Sequence, residues 1–584
     1  MASSRTYEWG TGEHVGSLFD VPEEVHSTDK RTASVDVAAL NQARSLVRQS
    51  GVVETLVQWR EEDGADPRRG GRPKIVSDEQ VVTLLMLLML DNSPMHLTRA
   101  CDLVCHRLTK RAYEALGLPR DTKLRSVWYF RLWRAFRRVL APIDPYRGQQ
   151  YHRRYTKEEW AQILDARDPE TIALITSRLH HFTNRLVWAS VMAMPEKYRS
   201  RWDGTICVDG TPLTATWRGT AKRATRVSSE PDAGWYRRDG DHLGAEGKDA
   251  LDWAWEATLV TMASPVRGDD AFPKLLVGFS LGRPGVAPRE QAMAALQNLA
   301  NGDVPRGYAV GDKLYYPGSK PETWQEPVRR LGYRLIGDQI KGQTGVQGTH
   351  EGARLVDGNW YCPAMPKPLV EATTDYDADR IDATTYAQRL SRRAAYVLRE
   401  KEAPRADGSV RYKCPALGPG ATCECPLRRR EVDPSKGRRV KILDVPEEPR
   451  GVCTKASLTV PLSAAPKYAQ QGPQWNTEAW HEAYNSPRQT IESHNRFLKD
   501  SSGMQLGDHS RRLVRGFAAQ AFIAALAVVA DNVRVLKSFL TRPERSQDDE
   551  PTPPRPPRRR PGRRTALSDL LATNPSNGPG EVAA

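Results

Sequence analysis

The spacing of apolar residues changes character several times along this chain. From Ser77 to about Tyr198 it is helical throughout. SDEQVVTLLMLLML opens on a Ser cap with Gln80 at the capping-box position, and LTRACDLVCHRL and LRSVWYFRLWRAFRRVL continue the helical period. An earlier helical pattern runs through VAALNQARSLVRQSGVVETLVQW, inside an otherwise polar stretch. Between Arg201 and Asp338 short β runs alternate with helices. In order these are the strands TICVDG, WEATLVTMA and FPKLLVGFSLG, the helix PREQAMAALQNLA, the strand YAVGD, the helix PETWQEPVRRL and the strand GYRLIGD. Regularity then fails until Thr477, where a helical pattern resumes; Ser486 as cap and Pro487 at the first helical position mark a helix start that runs through Lys499. The longest apolar run, Phe517 to Ala530, has 14 residues with Gln520 among them. That is short of the ~20 a membrane span needs, so it predicts a buried core helix and no membrane partner.

These changes divide the chain into 1–76, polar with a basic linker; 77–200, a helical candidate DNA-binding domain; 201–338, the first part of an α/β core; 339–476, an insertion; 477–540, two helices that complete the core; and 541–584, a tail. Three strands, a helix, a strand, a helix and a strand is the order of an RNase H-like mixed sheet. The fold class expected is therefore α/β, an RNase H-like mixed-sheet core with a large insertion before its last helix, preceded by an all-α region. In that sheet the first and fourth strands are neighbours. The insertion is expected to be mainly β or irregular, and the tail, poor in large apolar residues, to be disordered.

Charge adds a partner. The 584 residues carry 86 Lys plus Arg against 71 Asp plus Glu, a net +15, which favours a polyanion and nucleic acid first. The linker PRRGGRPK offers Arg72 and Lys74 to a narrow minor groove, although a solvated basic linker has the same composition. Eight cysteines are too few for a disulfide scaffold, and no secretory leader precedes the helices, so a reducing, cytoplasmic, nucleoid-associated setting is expected. Cys414, Cys423, Cys425 and Cys453 are candidate ligands of a structural Zn²⁺, with free thiols as the alternative, because the spacing lacks paired C-x2-C and one residue separates Cys423 from Cys425. Trp324 and Trp360 are read as core residues, and His180, His181 and His494 as structural or solvated.

Three acids carry the candidate chemistry. Asp209 ends TICVDG, Asp312 ends YAVGD, and Glu492 sits in YNSPRQTIESHNRFLK. Two carboxylates at strand ends and one on a helix that crosses them form the oxygen-rich site that Mg²⁺ ions favour. Arg488, Glu492 and Lys499, at intervals of four and seven, fall near one helical face, while Ile491 and Leu498 are left for the core.

These residues resemble the DDE transposases of bacterial insertion sequences, the group whose third block reads Y-R-E-K. R-x3-E-x6-K matches at Arg488, Glu492 and Lys499; Tyr484 stands one residue farther from the Arg than in that pattern. VDGTPL around Asp209 and VGDKLYY around Asp312 are similar to the first two blocks, and the likeness covers about Arg201 to Ser538. It implies catalysis with two Mg²⁺ ions, replaceable by Mn²⁺, in which Asp209 bridges both ions and Asp312 and Glu492 each hold one. It further implies that Arg488, Lys499 and Tyr484 contact DNA. The expected partners are double-stranded DNA, at the element ends and the target, and a second copy of the chain in a synaptic homodimer. Rival readings are a non-catalytic DNA-binding protein derived from a transposase, and an RNase H-like nuclease without strand transfer.

Overall fold

The computed structural model describes residues 33–64, 74–150, 153–215, 219–238, 250–428, 439–500 and 503–542. The basic linker up to Pro73, with Arg72, and the tail beyond Arg542 lie outside the described residues; Lys74 is exposed.

The first pattern divides in two. α1 (Val37–Ser50) is capped by Asp36 and stops at Gly51, whose φ of +66° turns the chain left-handed before α2 (Val52–Glu62) begins. One helix was expected here; the glycine inside the apolar pattern is the physical reason for two. α3 (Asp78–Leu90) carries the capping box of Ser77 and Gln80. α4 (Leu97–Asp102), α5 (Lys110–Leu116), α6 (Arg125–Leu140), α7 (Lys157–Asp165), α8 (Pro169–Met192) and α9 (Glu196–Arg199) follow.

The chain then enters a mixed sheet of β1 (Ile206–Thr214), β2 (Gly234–Arg238), β3 (Ala250–Met262), β4 (Leu276–Gly282), β5 (Tyr308–Val310) and β6 (Arg334–Ile336). β1 pairs antiparallel with β3 and parallel with β5, β5 runs parallel to β6, and β3 pairs antiparallel with both β2 and β4. α10 (Pro288–Ala295) and α11 (Gln297–Asn301) connect β4 to β5, and α12 (Gln325–Arg330) precedes β6. The protein is therefore of the mixed α/β class.

The insertion is less β-rich than its sequence suggests. Alongside β7 (Val346–His350), β8 (Ala353–Val356) and β9 (Asn359–Tyr361) it holds helices α13 (Lys367–Val370), α14 (Ala372–Asp377) and α15 (Ala383–Arg393), then β10 (Arg399–Glu400), β11 (Val410–Lys413), β12 (Cys423–Glu424), β13 (Val440–Lys441), α16 (Gly451–Thr454) and β14 (Leu458–Val460). The fully buried Arg393 ties α15 to the β8–β9 turn by its ion pair with Asp357. Gln470 and Gln471 return the chain to the sheet. The Gln470 amide group exchanges hydrogen bonds with the backbone of Gly337, and the Gln471 side chain accepts from Leu335 N–H.

α17 (Glu478–Lys499) corrects a local expectation: it starts at a Thr477 cap and runs without a break, with Pro487 inside. Proline removes one helical hydrogen bond, but both halves of the helix bury side chains, Trp480, Ala483 and Tyr484 before it and Ile491 and Leu498 after, and this packing outweighs the lost bond. The expectation treated Ser486-Pro487 as a start because local signals carry no tertiary information.

α18 (Phe517–Leu540) is, among the described residues, the helix long and apolar enough to cross a membrane, and 89% of its apolar window is buried inside the fold. It lies in one hydrophobic cluster that runs from Val35 through the sheet to Leu536, so residue 200 is no core boundary and the N-terminal helices share a core with the sheet. Two asparagines hold the outer edge of β4. Asn184 on α8 accepts from Phe279 N–H at 2.9 Å and donates to its carbonyl at 2.8 Å. Asn532 on α18 does the same for Leu276, at 2.7 Å in each direction. The side-chain amides thus stand where a further strand would pair. Asn532→Ala leaves the buried Leu276 N–H and C=O without partners and is expected to lower the unfolding free energy by about 3 kcal/mol in urea denaturation; a loss under about 1 kcal/mol would show that the edge is satisfied in another way.

Candidate active site

β1 lies at the middle of the sheet, and its register places the acids. Cys207 pairs with Val310 as the last partners of β1 and β5, and Val310 pairs with Ile336 as the last partners of β5 and β6. Asp209, Asp312 and Asp338 each lie two residues beyond those positions. Three aspartates therefore stand in a row where three adjacent parallel strands part: Asp312 and Asp338 lie just past β5 and β6, whereas Asp209, expected at a strand end, lies within β1, which runs on against β3 to Thr214 because that longer partner continues the ladder. Asp338 was quoted in the sequence only as the end of a strand; the signal that finds it is the repeated VDG, VGD and IGD.

α17 crosses this edge. Arg488 Nη1 stands 3.1 Å from Asp209 Oδ1, and Asn495 Nδ2 donates to Asp209 Oδ2 at 2.8 Å. Arg488 Nη2 lies 3.6 Å from Glu492 Oε1, whose side chain keeps 44% of its exposure against 15% for Asp209. Arg488, Glu492 and Asn495 share one helical face at intervals of four and three. Asn495 was missed in the sequence, although the same stripe contains it. Lys499 closes the helix half-buried. Tyr484 is buried and stacks on Trp480 at 4.7 Å, so its ring belongs to the packing beneath the site. Lys313 pairs with Asp338 at 3.2 Å, and Trp475 donates to the same carboxylate.

The site is crowded with negative charge. Burial, and then the charge of Asp209, push the Asp312 carboxyl above its usual range, while Arg488 opposes them. Glu256 on β3 is also pushed up, by burial and then, against a hydrogen bond from Gly285 N–H, by Asp209 and Asp312. It opposes Pro212 in the register and lies over Gly210, on the sheet face opposite Asp209. Its sequence signal was a lone acid within an apolar strand. The buried Tyr315 hydroxyl is raised by burial and by the same three carboxylates. Burial works against the charge of Arg488, yet Asp209, Cys207 and Tyr484 together outweigh it and the guanidinium is held more firmly protonated. Asn495 Oδ1 is buried and lacks a hydrogen-bond partner, on the same amide whose nitrogen donates to Asp209.

The other candidates fall elsewhere. Trp324 and Trp360 are buried in apolar clusters. His494 is buried against Asp531 and the Lys274 carbonyl, and burial lowers the pKa of His180 to about 4. Cys414, Cys423, Cys425 and Cys453 are free thiols of the insertion, remote in sequence from the acids. Among the described residues no three His, Cys, Asp or Glu side chains are closed into a metal-holding group as placed. Comparison with protein families, with curated proteins and with solved structures returns no match for this chain.

Two substitutions test the charge balance. An acid whose folded pKa is raised favours the fold in its protonated form, and that advantage is lost as pH rises from the ordinary carboxylate value through the raised one. Asp312→Asn, with chelator present, is therefore expected to raise the thermal midpoint at pH 7, and the gap should close as the pH is lowered toward the ordinary aspartate range. Arg488→Met removes the partner of a largely buried carboxylate and should cost about 3 kcal/mol. Equal midpoints for the wild type and Asp312→Asn across the pH range would refute this balance.

Proposed function

We propose that this chain is a metal-dependent DNA transposase of the DDE type, which cuts at the ends of its own mobile element and joins the freed 3′ hydroxyl to target DNA. The observation that carries the reading is the parallel pairing of β1 with β5, which brings Asp209 within β1 beside Asp312 just past the end of β5, under the helix that bears Arg488 and Glu492. The sheet order β2-β3-β1-β5-β6, with β4 also paired to β3, is antiparallel on one side of β1 and parallel on the other, which supports reading the core as RNase H-like. The basic balance of the chain favours DNA as the partner.

The donor set suits Mg²⁺ or Mn²⁺: hard carboxylate oxygens, raised where they crowd, with the orphaned Asn495 carbonyl oxygen beside them. Asp209, Asp312 and Glu492 would hold the ions, which when bound supply an activated attacking oxygen and charge stabilisation at the leaving one. The chain's own groups do the remaining work. Asn495 fixes one Asp209 oxygen and so sets the carboxylate plane. Arg488 contacts Asp209 and Glu492 together, and once those carboxylates are engaged its guanidinium is the group placed to meet a backbone phosphate. Lys499, farther along the helix, extends the same basic track. Tyr484, buried in the main core and stacked on Trp480 of the same helix, packs the first half of α17 against the fold. Attack by water or by a 3′ hydroxyl at one site needs no covalent protein intermediate, and the use of two element ends suits a homodimer.

The test is cleavage and joining of DNA that carries the flanks of this gene, with Mg²⁺ or Mn²⁺. Asp209→Asn, Asp312→Asn and Glu492→Gln are each expected to reduce cutting on the order of 10³-fold, the scale of losing one charge-stabilising group, while DNA affinity is kept. Binding of the flanks without cutting by the wild type would sink the catalytic claim and leave a DNA-binding relic. Cutting without joining would leave a nuclease.

A further inference from the structure

Three tight turns in the insertion share one construction. Cys362, Cys414 and Cys425 are each followed by proline. In each the N–H three residues on donates to the cysteine carbonyl, from Met365 at 3.1 Å, Leu417 at 3.1 Å and Arg428 at 3.0 Å. Proline at the second position presets the turn. In two of them an amide also reaches the sulfur, Ala364 N–H toward Cys362 and Leu427 N–H toward Cys425; burial pushes both thiols up, and these contacts oppose it.

Hydrogen bonds stitch these turns to one another. Thr422 N–H donates to the Pro415 carbonyl at 2.9 Å, and Arg399 donates to the carbonyls of Leu417 and Gly420. Arg428 donates to the carbonyls of Val452, at 3.1 Å, and Lys455, at 2.8 Å, and so pins the Cys425 turn onto α16, which carries Cys453. The Cys362 turn joins them through neighbouring residues: Cys362 N–H donates to the Tyr396 carbonyl at 2.9 Å and the Thr422 hydroxyl to that of Ala395 at 2.8 Å. Cys414 lies within electrostatic reach of Cys362, Cys423, Cys425 and Cys453, and Cys453 within reach of Cys362 and Cys425.

We propose that Cys362, Cys414, Cys425 and Cys453 bind one structural Zn²⁺ as a tetrathiolate. The set differs from the one the spacing suggested, with Cys362 in place of Cys423. Cys423 is held in strand β12, its residue paired with Val440 and its backbone committed to that ladder rather than to a turn or helix end. Taking Cys362 also removes the awkward closure by two cysteines one residue apart. Four soft thiolates from separate turns are a zinc donor set. Among the described residues no three of these sulfurs are closed into a metal-holding group, so closure on the ion calls for χ1 rotation of the cysteines. The ion would join two small apolar clusters: Cys453 packs against the one around Leu355, Trp360 and Val460, and Cys362 and Cys425 belong to the one around Tyr361 and Met365. Neither cluster is large enough to order long loops alone. The site is separate from the acids and does not rest on the transposase reading.

The full chain, expressed with zinc supplied, is expected to carry close to one zinc per molecule by elemental analysis. Cys362→Ser, Cys414→Ser, Cys425→Ser and Cys453→Ser should each lose it, and Cys423→Ser should keep it. Because a variant can fail by misfolding, Co²⁺ is titrated into chelator-stripped wild type as well; an intense thiolate-to-cobalt charge-transfer band with tetrahedral d–d absorption is expected. Zinc well below one per two chains together with no such band overturns the proposal. So does full zinc in Cys414→Ser, or loss in Cys423→Ser with retention in Cys362→Ser.

Discussion

The ion pair between Arg488 and Asp209 is the contact on which the arrangement of the candidate site depends. It joins the central strand to a helix that returns after the whole insertion, and it fixes which face of α17 looks at the row of aspartates. A carboxylate placed so near Asp312 and Glu256 would be costly to bury alone. With the guanidinium beside it and the Asn495 amide on its other oxygen, Asp209 is satisfied, and the cost moves to Asp312 and Glu256, whose carboxyls are pushed up. The rest of the helix follows from that orientation: Ile491 and Leu498 turn into the core, and Glu492 is left at the rim.

What the sequence made legible was the part governed by short-range periodicity. The strands carrying VDG and leading into VGD could be read from apolar runs, though not that the first runs on to Thr214 against β3, and the stripe of Arg488 and Glu492 from helical spacing, since both depend on residues a few positions apart. What escaped depended on distant partners. Ser486-Pro487 read as a helix start because cap and proline are local signals, whereas the helix is held through Pro487 by packing on both sides of it. Asp338 and Glu256 gain meaning only once β6 and β3 are known to flank β5 and β1. The break at Gly51 was visible as a glycine, and its left-handed φ explains why one pattern makes two helices. The N-terminal region read as a separate domain because its period differs from that of the sheet; it shares a core because α8 and α18 reach β4 through Asn184 and Asn532.

The insertion follows another logic. It leaves the sheet after β6 and comes back through Gln470 and Gln471, which bond to the backbone at the end of that same strand. The excursion is thus closed at its base, and its internal order need not be supplied by the main core. It is built from small units instead: the buried Arg393–Asp357 pair, the stacked Tyr376 and Tyr386, and the turns that present thiols. Such units order a chain locally and leave the sheet's register undisturbed.

That closure also explains how an excursion of this length is compatible with a site needing close placement. Asp338 belongs at once to the strand-end row and to the base of the insertion, where Lys313 and Trp475 hold its carboxylate. Trp475 lies just before α17 and packs against Trp480, which in turn stacks under Tyr484, one turn before Arg488. The aromatic chain therefore links the end of β6 to the start of the helix, so the chain's return point and the helix's position are set together. Arg488 reaches Asp209 because the helix has been placed before its charged face is satisfied: packing fixes where α17 lies, and the ion pair selects how it is rotated.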